Sequence, residues 1–93
     1  MNSINYLNSV KKQLHIRSDY ALAKAIGITR QAICNYRKER SQMDNFTAFK
    51  VAEVLDIPAE KVIIDVALEA SNNHEKREFW YQRRGKFDLA HSI

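Results

Sequence analysis

Glycine and proline are the two strongest breakers of regular structure, and this chain of 93 residues has only Gly27, Gly85 and Pro58. Their scarcity is the tightest constraint on its fold. No Asn-Gly or Asp-Gly pair separates alternating apolar runs, so no β-hairpin signal exists. Apolar residues recur instead at the three- and four-residue intervals of a helix. The chain is read as all-α, a run of short helices joined by short loops around one core. At this length it is one domain with a short appendage, and it has no room for a second, ligand-sensing domain.

The helices follow from periodicity and caps. Ile4, Leu7, Val10 or Lys11, and Leu14 mark the first. Ser18 caps the second, which turns Leu22, Ala23 and Ile26 inward and ends at Gly27. Thr29 caps the third, with Ala32, Ile33 and Tyr36 on one side. After a polar loop from Arg40 to Met43, Asp44 or Asn45 caps a fourth helix containing Phe46, Phe49, Ala52 and Leu55. Pro58 suits the first turn of a fifth, where its missing N–H is no loss. That helix carries Val62, Ile63, Val66 and Ala67. Ser71-Asn72-Asn73 breaks the chain. A last helix is expected from about His74 to Arg84, ended by Gly85, with Lys86 to Ile93 as a frayed tail. The domain division is expected at residues 1–72 and 73–93.

The second and third helices carry the functional signal. Two helices crossing steeply through a tight turn need a residue that accepts positive φ, and Gly27 supplies it. They need a small side chain near the corner, and Ala23 stands there. They need apolar residues to lock the pair to the core, and Leu22, Ile26, Ile28 and Ile33 occupy those positions. This is the spacing of a helix-turn-helix that reads duplex DNA. With Ala32, Ile33 and Tyr36 inward, Arg30, Gln31, Cys34, Asn35 and Lys38 face outward. Arg30 suits the paired acceptors of guanine, and Gln31 and Asn35 suit the acceptor–donor pair of adenine. Arg37, Lys38 and Arg40 follow, placed to meet phosphates. The alternative is a plain helical hairpin with a solvated face. The agreement of cap, small residue, apolar lock and polar face favours the DNA reader.

Composition bounds the rest. The formal net charge of +4 fits a polyanionic partner without requiring one. Cys34 is the lone cysteine, so neither an intramolecular disulfide nor a thiol zinc site can form. It is read as a small neutral contact rather than a redox switch. His15, His74 and His91 lack metal-ligand spacing. No paired carboxylates, nucleophile elbow or phosphate-binding glycine loop occurs, so no enzyme, metal or cofactor is expected. The amphipathic N-terminus lacks a signal-peptide apolar run, and the stretch from Val62 to Leu68, interrupted by Asp65, is too short to span a bilayer. A cytoplasmic location is expected, with no membrane and no small-molecule ligand. Phe79 and Trp80 are read as closing the bundle core, with a dimer seam as the alternative. Arg83, Arg84 and Lys86 are read as a solvated helix end.

From about residue 4 to 70 the sequence resembles the phage repressor and Cro-type (XRE-type) helix-turn-helix domain. The matching runs are DYALAKAIGITRQAICNYRKER and FKVAEVLDIPAEKVI. The resemblance implies a compact five-helix, lambda-repressor-like bundle, here with an added short C-terminal helix, and operator binding as a homodimer. It places Arg30, Gln31 and Asn35 at base-contacting positions and Thr29 at the groove edge. Asp19 falls where the family often has a phosphate-binding glutamine, so Ser18 or Tyr20 would take over that backbone contact. Lys38-Glu39-Arg40-Ser41 stands where many relatives have an Asn-Gly turn, so the loop after the third helix must be built differently. The charged, Trp-containing C-terminal helix is similar to those of small phage-encoded members. The expected function is a dimeric DNA-binding repressor of a palindromic operator. The alternatives are an antitoxin that represses its own operon and a helix-turn-helix reused as a protein-interaction adaptor.

Overall fold

A computed structural model of the chain describes residues 2–91. Among them are six helices and no strand: α1 (Ser3–Gln13), α2 (Asp19–Ile26), α3 (Arg30–Arg37), α4 (Asn45–Leu55), α5 (Ala59–Ala70) and α6 (His74–His91). Short polar side chains start most of them. Asn2, Ser18, Thr29 and Asp44 each accept a hydrogen bond from the amide three residues on, at 2.8–3.0 Å. Asn73 Oδ1 accepts from the amides of Glu75 and Lys76 and starts α6. Pro58, at φ −63°, precedes α5.

The first four helices end by one device. His15, Gly27, Glu39 and Asp56 have φ of 56°, 76°, 58° and 54°, in the left-handed region. The next amide then reaches back five residues: Ile16 to Lys11, Ile28 to Ala23, Arg40 to Asn35 and Ile57 to Ala52, at 2.9–3.1 Å. These bonds satisfy carbonyls that a helix end would leave bare. The sequence pointed to Gly27 alone. At the other three positions an ordinary side chain takes the strained torsion, at a cost of roughly 1–2 kcal/mol each.

The core joins the first five helices. Tyr6, Leu7 and Val10 of α1 meet Leu22, Ala23 and Ile26 of α2, Ile33 and Tyr36 of α3, Ala48, Val51 and Ala52 of α4, and Val62 and Val66 of α5. Two registers differ from expectation. In α1, Tyr6 is fully buried and Leu14 is 39% exposed. In α4, Phe46 and Phe49 are more than half exposed, while Thr47, Ala48, Val51 and Ala52 turn inward. Ala48, Val51 and Ala52 belong to the core, and α4 packs on α1, α2 and α5.

The C-terminal expectation is corrected. The last helix does not stop at Gly85 but runs on to His91. Gly85 lies within it without a positive φ, and a Cβ there would meet nothing within 4 Å. Phe87, assigned to a frayed tail, is buried. Ser92 and Ile93 of that expected tail lie outside the described residues. The division at 72/73 falls in the link before α6, and α6 packs back along α5, covering Ile64 and Leu68 from outside the main core.

A buried carboxylate fastens this arrangement. Asp65 of α5 is 3% exposed. It accepts a short hydrogen bond from the Tyr6 hydroxyl of α1, and Arg84 of α6 donates to it at 3.4 Å. Lys61 Nζ lies 3.7 Å away. Burial, reinforced by Asp65, pushes the Tyr6 hydroxyl far above its ordinary range, so it stays protonated and donates. One turn earlier in α1, Glu69 accepts from both the amide and hydroxyl of Ser3 at 2.8 Å. Among the described residues, no helix is long and apolar enough to cross a membrane.

Two stability changes of opposite sign follow. Tyr6→Phe removes the buried donor to Asp65 and should cost about 1–3 kcal/mol, read from urea unfolding followed by circular dichroism. Glu39→Gly relieves a left-handed torsion on an exposed residue and should add about 0.5–1 kcal/mol in the same measurement, because strain relief exceeds the extra freedom of an unfolded glycine.

Candidate nucleic-acid interface

The register of α3 separates its two faces. Ile33 and Tyr36 point into the core, with Ala32 partly buried beside them. Arg30, Gln31 and Lys38 are exposed, and Cys34 and Asn35 are partly so. This is the division that the apolar spacing implied. Thr29 fixes where α3 begins, and Gly27 fixes how the chain leaves α2. A Cβ at Gly27 would lie an ordinary 3.9 Å from Cζ of Phe46, so the φ of 76°, rather than lack of room, calls for glycine.

The expected base readers are already organised. Gln31 Nε2 donates to Asn35 Oδ1 at 3.0 Å, one helical turn along. That bond leaves Gln31 Oε1 as an acceptor and Asn35 Nδ2 as a donor, side by side on one face. Arg30 leans over the Tyr20 ring at 5.9 Å, and Lys24 covers the same ring at 5.0 Å. Tyr20 thereby contacts two cations while remaining 54% exposed.

The residues expected at the phosphates fall into two groups. Ser18 Oγ and Thr29 Oγ1 each accept from a capped amide, which leaves the hydroxyl proton of each to donate outward. Lys38 and Arg40 are exposed at the end of α3. The turn that carries them needs no glycine, because Glu39 adopts the left-handed torsion itself.

Arg37 has a different task from the one expected. Its Nε and one terminal nitrogen both donate to the Asp19 carboxylate at 2.8 Å, a two-pronged pair. The same terminal nitrogen reaches Asn8 Oδ1 at 3.4 Å, and Lys11 Nζ lies 3.2 Å from Asp19. That edge of the guanidinium is therefore engaged within the protein, tying α1, α2 and α3 together. Arg37 hydrogen bonding holds the Asp19 carboxyl below the usual carboxylate range, with Lys11 adding to the effect and partial burial opposing it. This cluster joins residues far apart in sequence, so helical spacing alone could not reveal it. An opposite-charge match between the start of α2 and the end of α3 was the available signal.

Asp19, Arg30, Gln31, Cys34, Arg37 and Lys38 line one open groove. A second groove, between α5 and α6, is lined by Glu60, Ile63, Ile64, Phe79, Trp80 and Arg83. There the Phe79 and Trp80 rings meet edge to face at 5.0 Å. Trp80 is partly buried and Phe79 is 50% exposed, and both line this groove rather than the main core. Among the described residues, no group of three or more His, Cys, Asp or Glu side chains is placed to hold a metal ion. No family model, curated protein or solved structure matches the chain.

The clamp has a pH signature. A carboxylate whose folded-state pKa is depressed stabilises the fold above its unfolded value of about 3.9, and that contribution fades as pH falls through the lower folded value. The stability gap between wild type and Asp19→Asn should therefore be full at neutral pH and close below about pH 4. Urea midpoints measured down the pH scale test this, and a gap that persists undiminished in acid assigns the stability to something other than the Asp19 charge.

Proposed function

We propose that the protein is a sequence-specific DNA-binding regulator in which α2 and α3 act as a helix-turn-helix of the phage repressor and Cro type. The observation that carries the reading is the outward face of α3. It presents Arg30 and the coupled Gln31–Asn35 amides on a helix whose opposite face is locked into the core. Such side chains, near the N-terminal end of a helix in the major groove, can make paired hydrogen bonds to base edges. Ser18, Tyr20, Thr29, Lys38 and Arg40 surround them with groups suited to phosphates.

In this reading α1 to α5 form the lambda-repressor-like bundle and α6 is an addition to it. The protein would act in the cytoplasm as a homodimer on a palindromic operator, with half-sites one helical turn apart. It would repress by occupancy, blocking polymerase at the bound operator. The groove beside Phe79 supplies apolar surface on which a second protomer could pack.

Selection of bound duplexes from a random pool tests the proposal. A palindromic consensus is the expected outcome, and failure to enrich any sequence refutes it. On the selected site, Gln31→Ala should cost about 1–3 kcal/mol and relax preference at one base pair. Arg40→Ala should weaken all sequences alike and reduce the salt slope by about one unit.

A further inference from the structure

We propose that Asp19 is a brake on phosphate binding, a positioning residue that withholds the Arg37 guanidinium from DNA. The proposal rests on the DNA-binding reading above and adds to it a control on affinity. Arg37 lies on the same groove as Arg30, Gln31 and Lys38, so its location suits contact with a polyanion. The Nε and terminal-nitrogen edge of its guanidinium, the edge that grips a phosphate with paired bonds, is taken by Asp19. Lys11 is drawn to the same carboxylate. Neither member of the Asp19–Arg37 pair is sealed from solvent, with side-chain exposures of 35% and 31%. A carboxylate at the rim of that groove also repels approaching phosphates directly. Asp19 thus lowers the pull of the surface on DNA of any sequence, while leaving the base-reading side chains Gln31 and Asn35 untouched.

The pair has a structural role too, and the two roles predict different results. If Asp19 only braces α1, α2 and α3, its loss lowers thermal stability and lowers DNA affinity with it. If it is a brake, Asp19→Asn lowers stability but raises affinity. One freed cation adds about 0.9 to the magnitude of the salt slope, which is roughly eightfold tighter binding at about 0.1 M salt.

The test is fluorescence anisotropy of the full chain on a labelled duplex of arbitrary sequence over a range of salt, with thermal melts alongside. Wild type, Asp19→Asn, Arg37→Ala and the double variant are compared. The brake predicts tighter binding and a steeper slope for Asp19→Asn, and loss of both gains in the double variant. It predicts a wild-type slope for Arg37→Ala, because that guanidinium is not on a phosphate to begin with. This arm does not depend on Asp19→Asn folding, and a slope shallower by about one unit there overturns the proposal. Unchanged or weaker binding by folded Asp19→Asn also overturns it, while leaving the DNA reading intact. A wild type with no salt-sensitive binding overturns both.

Discussion

The architecture depends on a repeated way of stopping a helix. At His15, Gly27, Glu39 and Asp56 the backbone swings into the left-handed region, and the following amide closes back on the helix it has left. Such an ending fixes the exit direction within one residue, which is what lets short helices reverse and pack without long loops. In three of the four turns the closing residue is isoleucine: Ile16, Ile28 and Ile57. Ile28 and Ile57 pack against the core, so the turn and the core stabilise each other. The fourth closure, after α3, uses Arg40, which is exposed. There the usual apolar contact gives way to a cation at the end of the candidate recognition helix. The same backbone device that builds the fold thereby presents a charge at the candidate interface.

Two aspartates show how environment divides one chemistry between two tasks. Asp65 is almost wholly buried and is held by Tyr6, Lys61 and Arg84. Removing one partner from such a site costs more than the net worth of the pair, because the remaining charge stays buried. That makes Asp65 a fastening for α6, which among the described residues packs on α5. Asp19 keeps about a third of its side-chain surface, and its partners lie on a face open to solvent. A pair of that kind can be exchanged for contacts with another charged molecule at much lower cost.

Much of the organisation was legible because it is local. Ser18, Thr29 and Asp44 cap where their side chains allow, and Gly27 turns left-handed where glycine is favoured. The burial of Ile33 and Tyr36, hence the outward face of α3, followed from spacing. What escaped depends on partners distant in sequence. Asp65 looked like an interruption in an apolar run, although Tyr6 and Arg84 make it a tether. Gly85 looked like a terminator because an isolated glycine disfavours a helix by about 1 kcal/mol. Burial of Phe87 and the Arg84–Asp65 contact lie on either side of it and carry the helix through. Phe46 and Phe49 looked like core by hydrophobicity alone, but the inward face of α4 is built from smaller side chains. Of the three non-glycine left-handed residues, His15 and Asp56 are of types enriched at positive φ, but Glu39 carries no such mark. A weaker sign was the Leu-x-Ile pattern at 14–16 and 55–57, which repeats the Ile-Gly-Ile at 26–28.

If α3 reads bases, the division of labour on it also bears on how the protein could discriminate. Each well-made bidentate base contact contributes about 1–3 kcal/mol of discrimination. Phosphate contacts strengthen binding to every sequence and add nothing to that difference. A surface with few base readers therefore gains affinity, but no selectivity, from each further free cation. Arg37 is a cation on that face that is internally committed, whereas Lys38 and Arg40 remain exposed. Pairing Arg37 with Asp19 steadies the α2–α3 corner and, on the proposed reading, keeps that cation from adding to sequence-independent attraction. If α3 reads bases, this one pair reconciles two requirements that otherwise conflict: a rigid reading head and a limited hold on DNA of the wrong sequence.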